Sequence, residues 1–212
     1  MRLYLSSFRM GNQSEKLVEL VEGGKNVVIV LNSRDHKGEK RNEYLADETK
    51  AFNELGFNVE ELDLRKFFGK EKELEEFLRK KDLVWVDGGN TFLLRRAMKK
   101  SGFDNVIKKL LKEDSITYGG FSAGVVVLQQ SLHSLDMVDN PNNISEGYES
   151  EIVWEGLGLL DFNVAVHYRS DHPESALVEK EVEYCKNNNI PYKTLSDGEV
   201  IIINGDDLKI LK

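Results

Sequence analysis

A single cysteine and only 3 prolines occur in 212 residues. One thiol cannot close an internal disulfide, and Cys185, set in Glu183-Tyr184-Cys185-Lys186, has no metal or redox partner beside it in the chain, so it reads as a buried or half-buried thiol. Long hydrophobic runs are also missing. The opening Met1-Arg2-Leu3-Tyr4-Leu5-Ser6-Ser7 meets charge again at Arg9, and no stretch approaches the ~20 apolar residues of a membrane span. A membrane partner is therefore excluded, and a soluble, cytoplasmic protein is expected. Nor is there a surplus of positive charge: 29 basic and 37 acidic residues give a formal net charge of -8. A polyanion would bind against that field, so nucleic acid is not an expected partner. Repeats, low-complexity tracts and linkers are absent as well, which leaves one domain over residues 1–212. What remains is ordinary globular composition, 40% hydrophobic, 31% charged and 9% aromatic, enough to build a core at this length.

Short apolar runs alternate with amphipathic stretches. Residues 3–5, 26–31, 57–62, 83–86 and 116–119 are brief, rich in β-branched and aromatic residues, and bounded by turn or charged residues, which predicts strands. Residues 15–22, 43–55, 72–80 and 91–112, the last broken near Gly102, carry apolar residues at three- and four-residue spacing, as Leu45, Phe52 and Leu55 illustrate, which predicts helices. Strand-helix-strand repetition implies an α/β fold, doubly wound, with a mainly parallel sheet and helices on both faces. Residues 199–204 and 208–211 flank Gly205-Asp206-Asp207 and read as a C-terminal β-hairpin at a sheet edge. Residues 131–156 have no periodicity and form a long loop of the kind that is often functional.

Two glycine clusters stand at strand ends. Gly120, Ser122 and Gly124 match GxSxG, in which small neighbours allow a tight strand-to-helix turn that exposes the serine hydroxyl. The run Val125-Val126-Val127-Leu128 favours strand by propensity, so a plain glycine turn between two strands stays open on these residues alone. The second cluster, Val86-Asp87-Gly88-Gly89-Asn90-Thr91, fits neither nucleotide-loop pattern. It can turn the Gly88 or Gly89 amide toward a neighbouring nucleophile, where that N–H and the Ala123 N–H would make an oxyanion hole. Asn90 is placed to cap the following helix or to touch substrate.

A serine nucleophile needs a base. His36, His133 and His172 lie in charged or polar surroundings, whereas His167 ends the alternating segment Phe162-Asn163-Val164-Ala165-Val166-His167 and would project from a strand end. A base needs an acid to fix its tautomer. Asp136 is the first candidate, and Asp139, Glu146, Glu149, Glu151 and Glu155 share its loop. Arg169, two positions past His167, would point to the same side of an extended chain and could bind a substrate carboxylate, or simply pair with Asp171.

In Gly88-Gly89-Asn90-Thr91, Ser122 and His167 together, and in Leu157-Gly158-Leu159-Leu160 leading to a strand that ends in His-aromatic, the chain resembles the dipeptidase E and cyanophycinase family of serine peptidases. The resemblance implies a fold like that of class I glutamine amidotransferases, with Ser122 as nucleophile, His167 as general base, Asp136 at the acidic position of the dipeptidase branch, and Gly88 or Gly89 with Ala123 as oxyanion donors. It implies a small peptide substrate, with N-terminal aspartyl dipeptides among the classes to consider, and requires neither metal nor organic cofactor. Two departures bear on substrate: Asp87 stands where that branch has a further glycine, and Tyr168 to Glu174 does not reproduce its substrate segment. The alternatives are an α/β-hydrolase-type esterase, for which little chain follows Ser122, and a catalytically inactive homologue that binds peptides or amino acids.

Overall fold

The computed structural model describes all 212 residues. Its strands are β1 (Arg2–Ser6), β2 (Asn26–Val30), β3 (Asn58–Glu61), β4 (Leu83–Val86), β5 (Thr117–Phe121), β6 (Asn163–Ala165), β7 (Tyr192–Thr194), β8 (Val200–Asn204) and β9 (Asp207–Leu211). The helices are α1 (Ser14–Leu20), α2 (Lys40–Glu54), α3 (Glu71–Leu78), α4 (Thr91–Ser101), α5 (Phe103–Lys112), α6 (Ala123–Val126) and α7 (Ser175–Asn187). The main sheet runs β3-β2-β4-β5-β1-β8-β9. Its first five members are parallel, and β8 and β9 close one edge antiparallel. This is the expected α/β architecture with its terminal hairpin.

The inner strands β1, β2 and β4 are largely apolar on both faces because helices cover both. Leu3, Leu5, Val28, Val30, Val84 and Val86 pack against Phe92, Met98, Phe103 and Ile107 of α4 and α5. The alternate residues Tyr4, Val27, Ile29, Leu83 and Trp85 pack against Leu17 of α1 and Phe52 of α2. The period of two thus survives in runs that look uniformly hydrophobic. Each fully buried aliphatic or aromatic side chain in these layers contributes about 1.5–3 kcal/mol. The Trp85 indole is satisfied as well as buried, donating to Glu48 Oε2 at 3.0 Å.

The GxSxG turn is built against β4. A methyl group added at Gly124 would lie 2.1 Å from the Val86 carbonyl oxygen, and one added at Gly120 would lie 2.6 Å from the same atom. Neither obstacle is the movable end of a side chain, so Gly124→Ala is expected to cost at least the about 1–3 kcal/mol typical of overpacking. Thermal unfolding would register this as a drop of several degrees; an unchanged midpoint would mean the turn has room that this packing denies it.

Two segments differ from the sequence reading. The strand expected over residues 162–167 covers only β6, which pairs in parallel with β7 in a separate two-stranded sheet. Past it the chain turns: His167 has φ +58° and Arg169 φ +51°, so the two do not share a face of an extended strand. The long loop after α6 forms no helix or named strand through residue 162, as expected from its lack of periodicity. It is held down by two buried arginines of α4. Arg95 Nε donates to the Glu155 carbonyl at 2.9 Å, and Arg96 donates to the carbonyls of Glu151, Asn143, Pro141 and Ser150.

Beside that loop, Glu181 of α7 is 1% exposed and accepts a hydrogen bond from Ser134 Oγ at 3.1 Å. Burial pushes its carboxyl up to about 8 from 4.5. The folded protein therefore holds a proton that the unfolded chain gives up in acid. The stability this confers is complete below about pH 4.5 and is lost as pH rises to about 8, beyond which it changes no further. Glu181→Gln should remove that slope. The difference in unfolding free energy between wild type and variant is expected to drift by on the order of 3 kcal/mol from pH 5 to 8; a constant difference would mean Glu181 is ionised in the fold.

Candidate active site

Ser122, Ser7 and Gly88 leave β5, β1 and β4 at the same edge of the sheet. In the β1–β5 register Ser6 lies beside Phe121, so Ser7 and Ser122 follow from adjacent strands. In the β4–β5 register Val86 lies beside Gly120. A methyl added at Gly88 would sit 3.1 Å from Ser122 Cβ, which puts the two glycine-rich turns in direct contact. Carboxyl ends of parallel strands are where open α/β sheets place their sites.

Ser122 itself has φ +49° and ψ −117°. A side chain in that region costs of order 1–3 kcal/mol, a strain that persists only where the surroundings enforce it. The enforcement here is the packing of Gly120 and Gly124 against β4. A short helix follows despite the valine run: the Val125, Val126 and Val127 amides donate back to Ser122 and Ala123 carbonyls at 2.8–3.2 Å, and burial of these valines overrides their β propensity. Ser122 remains partly exposed while Ala123 to Val126 are buried.

His167 is 1% exposed. Its backbone N–H donates to Ser7 Oγ at 2.8 Å, and Ser7 Oγ donates in turn to Asp197 Oδ1 at 2.8 Å. The His167 Nδ1 meets that same carboxylate oxygen at 2.6 Å. Asp197 is held by its own amide, which donates to Ser170 Oγ at 2.8 Å. Burial lowers the His167 pKa, and the stacked His172 lowers it further, against the opposing pull of Asp197. The Phe8 ring spans from Phe121 to His167, 6.1 Å from each centroid, and so ties the serine turn to the imidazole.

Asp136, expected as the acid, is exposed on the long loop and makes no contact with His167; the imidazole is satisfied by Asp197 instead. Glu146, Glu149, Glu151 and Glu155 are likewise exposed. Asp139 accepts the Thr91 amide at 2.8 Å at the start of α4. Asp197 lies in the Ser196-Asp197-Gly198-Glu199 turn before β8. The signal that could have found it is the antiparallel pairing of β8 with β1, which brings Val200 beside Ser6 at this edge.

Both ends of the Asn90 amide are committed to the fold, Oδ1 accepting from the Leu93 amide at 2.9 Å and Nδ2 donating to the Asn140 carbonyl at 3.0 Å. Asn90 thus caps α4 and pins the long loop at Asn140. Arg169 is exposed, its guanidinium 5.1 Å from the Tyr168 ring centre. It pairs with neither a site carboxylate nor Asp171. Asp87 is buried and paired with Arg34, whose guanidinium stacks on Tyr44 at 3.8 Å; burial raises the Asp87 pKa against that partner. His172, read as an ordinary polar-loop residue, stacks on His167 with ring centres 3.7 Å apart and planes 7° from parallel. Beside it Glu174 is pushed up to about 7, by burial first and then by Asp139, with Arg34 opposing.

The Gly88–Gly89 peptide is oriented by Ser33, whose hydroxyl donates to the Gly88 carbonyl at 2.7 Å. In a trans peptide the next amide points the opposite way, so the Gly89 N–H faces away from Ser33. Gly89 has φ +131° and a methyl there would meet Ser33 Oγ at 2.9 Å, so this position requires glycine twice over.

Set beside known proteins, residues 13–211 match the family model of peptidase family S51. An uncharacterized peptidase of Listeria monocytogenes is 31% identical over 170 residues, 78% of this chain and 76% of that protein. A Drosophila melanogaster protein named "Probable alpha-aspartyl dipeptidase" is 28% identical over 183 residues, 84% of this chain and 68% of its own. Among solved structures, a 1.5 Å crystal structure of a candidate peptidase E from Listeria monocytogenes is 26% identical, covers 100% of this chain and 98% of its own, and superposes with a TM-score of 0.80.

Proposed function

Because the chain belongs to peptidase family S51, we propose that it hydrolyses short peptides through an acyl-enzyme formed on Ser122, with His167 as general base and Asp197 as the acid. The observation that carries this reading is the 2.6 Å contact between His167 Nδ1 and Asp197, at the sheet edge from which the strained Ser122 turn emerges. An aspartate on Nδ1 keeps the proton there and leaves Nε2 with its lone pair, the tautomer a base needs. Burial keeps the resting imidazole neutral at neutral pH, so it can accept a proton.

Ser122 Oγ attacks the scissile carbonyl carbon as its proton passes to His167 Nε2, and Asp197 stabilises the imidazolium. The carbonyl oxygen becomes an oxyanion held by the Ala123 N–H and an amide of the Gly88–Gly89 pair. Gly89 is favoured over Gly88, since Ser33 turns its N–H away from the glycine carbonyl. Collapse expels the amine, which takes the proton from His167. A water then attacks the serine ester with the same imidazole as base, and Ser122 is restored.

N-terminal aspartyl dipeptides are the first substrates to try, given the name of the Drosophila relative. Arg169 is not proposed as their anchor, because the turn at His167 removes the extended geometry that would have aimed it. The reading is tested with a panel of dipeptides and short acyl esters, assayed beside mass analysis of the chain after a fluorophosphonate probe. Peptide turnover with the adduct on Ser122 supports it. Turnover with no adduct there, or an adduct without turnover of any peptide, rejects it.

A further inference from the structure

We propose that His167, His172 and Glu174 form a binding site for a divalent transition-metal ion of the Zn²⁺ type, and that a bound ion and peptide hydrolysis exclude each other. One nitrogen from each imidazole and one oxygen of the carboxylate lie within 4.8 Å of one another. Two imidazoles and one carboxylate are a donor set suited to Zn²⁺, leaving a fourth position for water.

His167 is the fixed member. It is buried, and Asp197 holds its Nδ1 at 2.6 Å, the carboxylate–imidazole arrangement that orients histidine ligands and strengthens them as donors. The nitrogen left for the ion is Nε2. The other two ligands are partly exposed and adjustable. The His172 Nδ1 is met by the Glu174 amide at 3.3 Å and, at 4.0 Å, by the Glu174 carboxylate itself. Parallel rings aim their in-plane lone pairs side by side, so His172 must tilt out of the stack for the two to converge. Tetrahedral Zn²⁺ places its donors about 3.3 Å apart, a contraction within reach of rotations of His172 and Glu174. Asp139 and Asp197 both act on Glu174 as neighbouring negative charges, with Arg34 opposing them. This surplus of carboxylate favours a dication.

The consequence for activity rests on the reading of His167 as base: a nitrogen bound to a metal cannot take the serine proton. The binding itself does not depend on that reading. Calorimetric titration of Zn²⁺ into metal-free Ser122→Ala protein is expected to give one ion per chain. In the same background, His172→Ala and Glu174→Gln should each weaken binding at least tenfold while His133→Ala leaves it unchanged. In wild type, Zn²⁺ should stop hydrolysis reversibly. The half-inhibiting concentration should rise at least tenfold in Glu174→Gln, measured against that variant's own metal-free rate. Circular dichroism identifies any variant that fails to fold, and the remaining one then decides. Absence of saturable binding, or binding indifferent to both ligand substitutions, overturns the site. Binding as expected with no metal-free hydrolysis in wild type would overturn the peptidase mechanism and leave the metal site standing.

Discussion

Ser122→Ala is expected to reduce peptide hydrolysis by at least about 10⁴-fold and to leave the fold intact. The expected loss is large because in the proposed mechanism the serine oxygen is the atom that bonds to substrate, and what survives its removal is only the binding and oxyanion contribution. The fold should persist because alanine keeps the Cβ that the Gly88 turn already accommodates and adds no atoms, and it occupies φ +49° at a cost similar to that of serine. Unfolding free energy should therefore move by no more than about 0.5 kcal/mol. The paired measurement is initial rate on a cleaved dipeptide together with the thermal midpoint. A variant that keeps most of its rate at an unchanged midpoint would reduce the turn to a structural element.

Asp197→Asn is expected to lower kcat by on the order of 10³–10⁴ with a much smaller change in KM. An asparagine fits the same turn but can present its amide N–H to the imidazole, which stabilises the tautomer with the proton on Nε2, where it cannot serve as base. It also removes the charge that stabilises the imidazolium. Ser7 can still hydrogen-bond to the asparagine oxygen, so the backbone of His167 should stay in place. Asp136→Asn should be close to wild type, since that side chain is exposed and distant from any hydrogen bond to His167. A dead Asp136→Asn beside an active Asp197→Asn would return the role to the long loop.

The fold was legible because its information is local. The inner parallel strands β1, β2 and β4 carry their own apolar runs, the break between α4 and α5 is written in Gly102, whose φ is +76°, and the hairpin is marked by its turn. Ser122 and the Gly88–Gly89 pair are legible because glycine spacing marks a tight strand-to-helix turn, although the contacts that demand glycine are tertiary, Gly120 and Gly124 lying against Val86, Gly88 against Phe121 and Gly89 against Ser33. Asp197 was not legible in that way. It is joined to His167 by tertiary pairing, through a turn that lies beyond the histidine in sequence and that β8 carries back to the edge of β1. Arg169 shows the limit of the pattern: alternation predicts facing only while the chain stays extended, and two positive φ values end that. The stacking of His172 on His167 left no trace in composition or spacing.

The neighbour relation between β1 and β8 also sets a timetable. Ser7 and Asp197, which clasp His167 from two sides, stand 190 positions apart in the chain. In the proposed mechanism the His167 imidazole gains its carboxylate only when β8 docks on β1, the most non-local step in assembling this edge. Activity should therefore appear in refolding no earlier than that pairing.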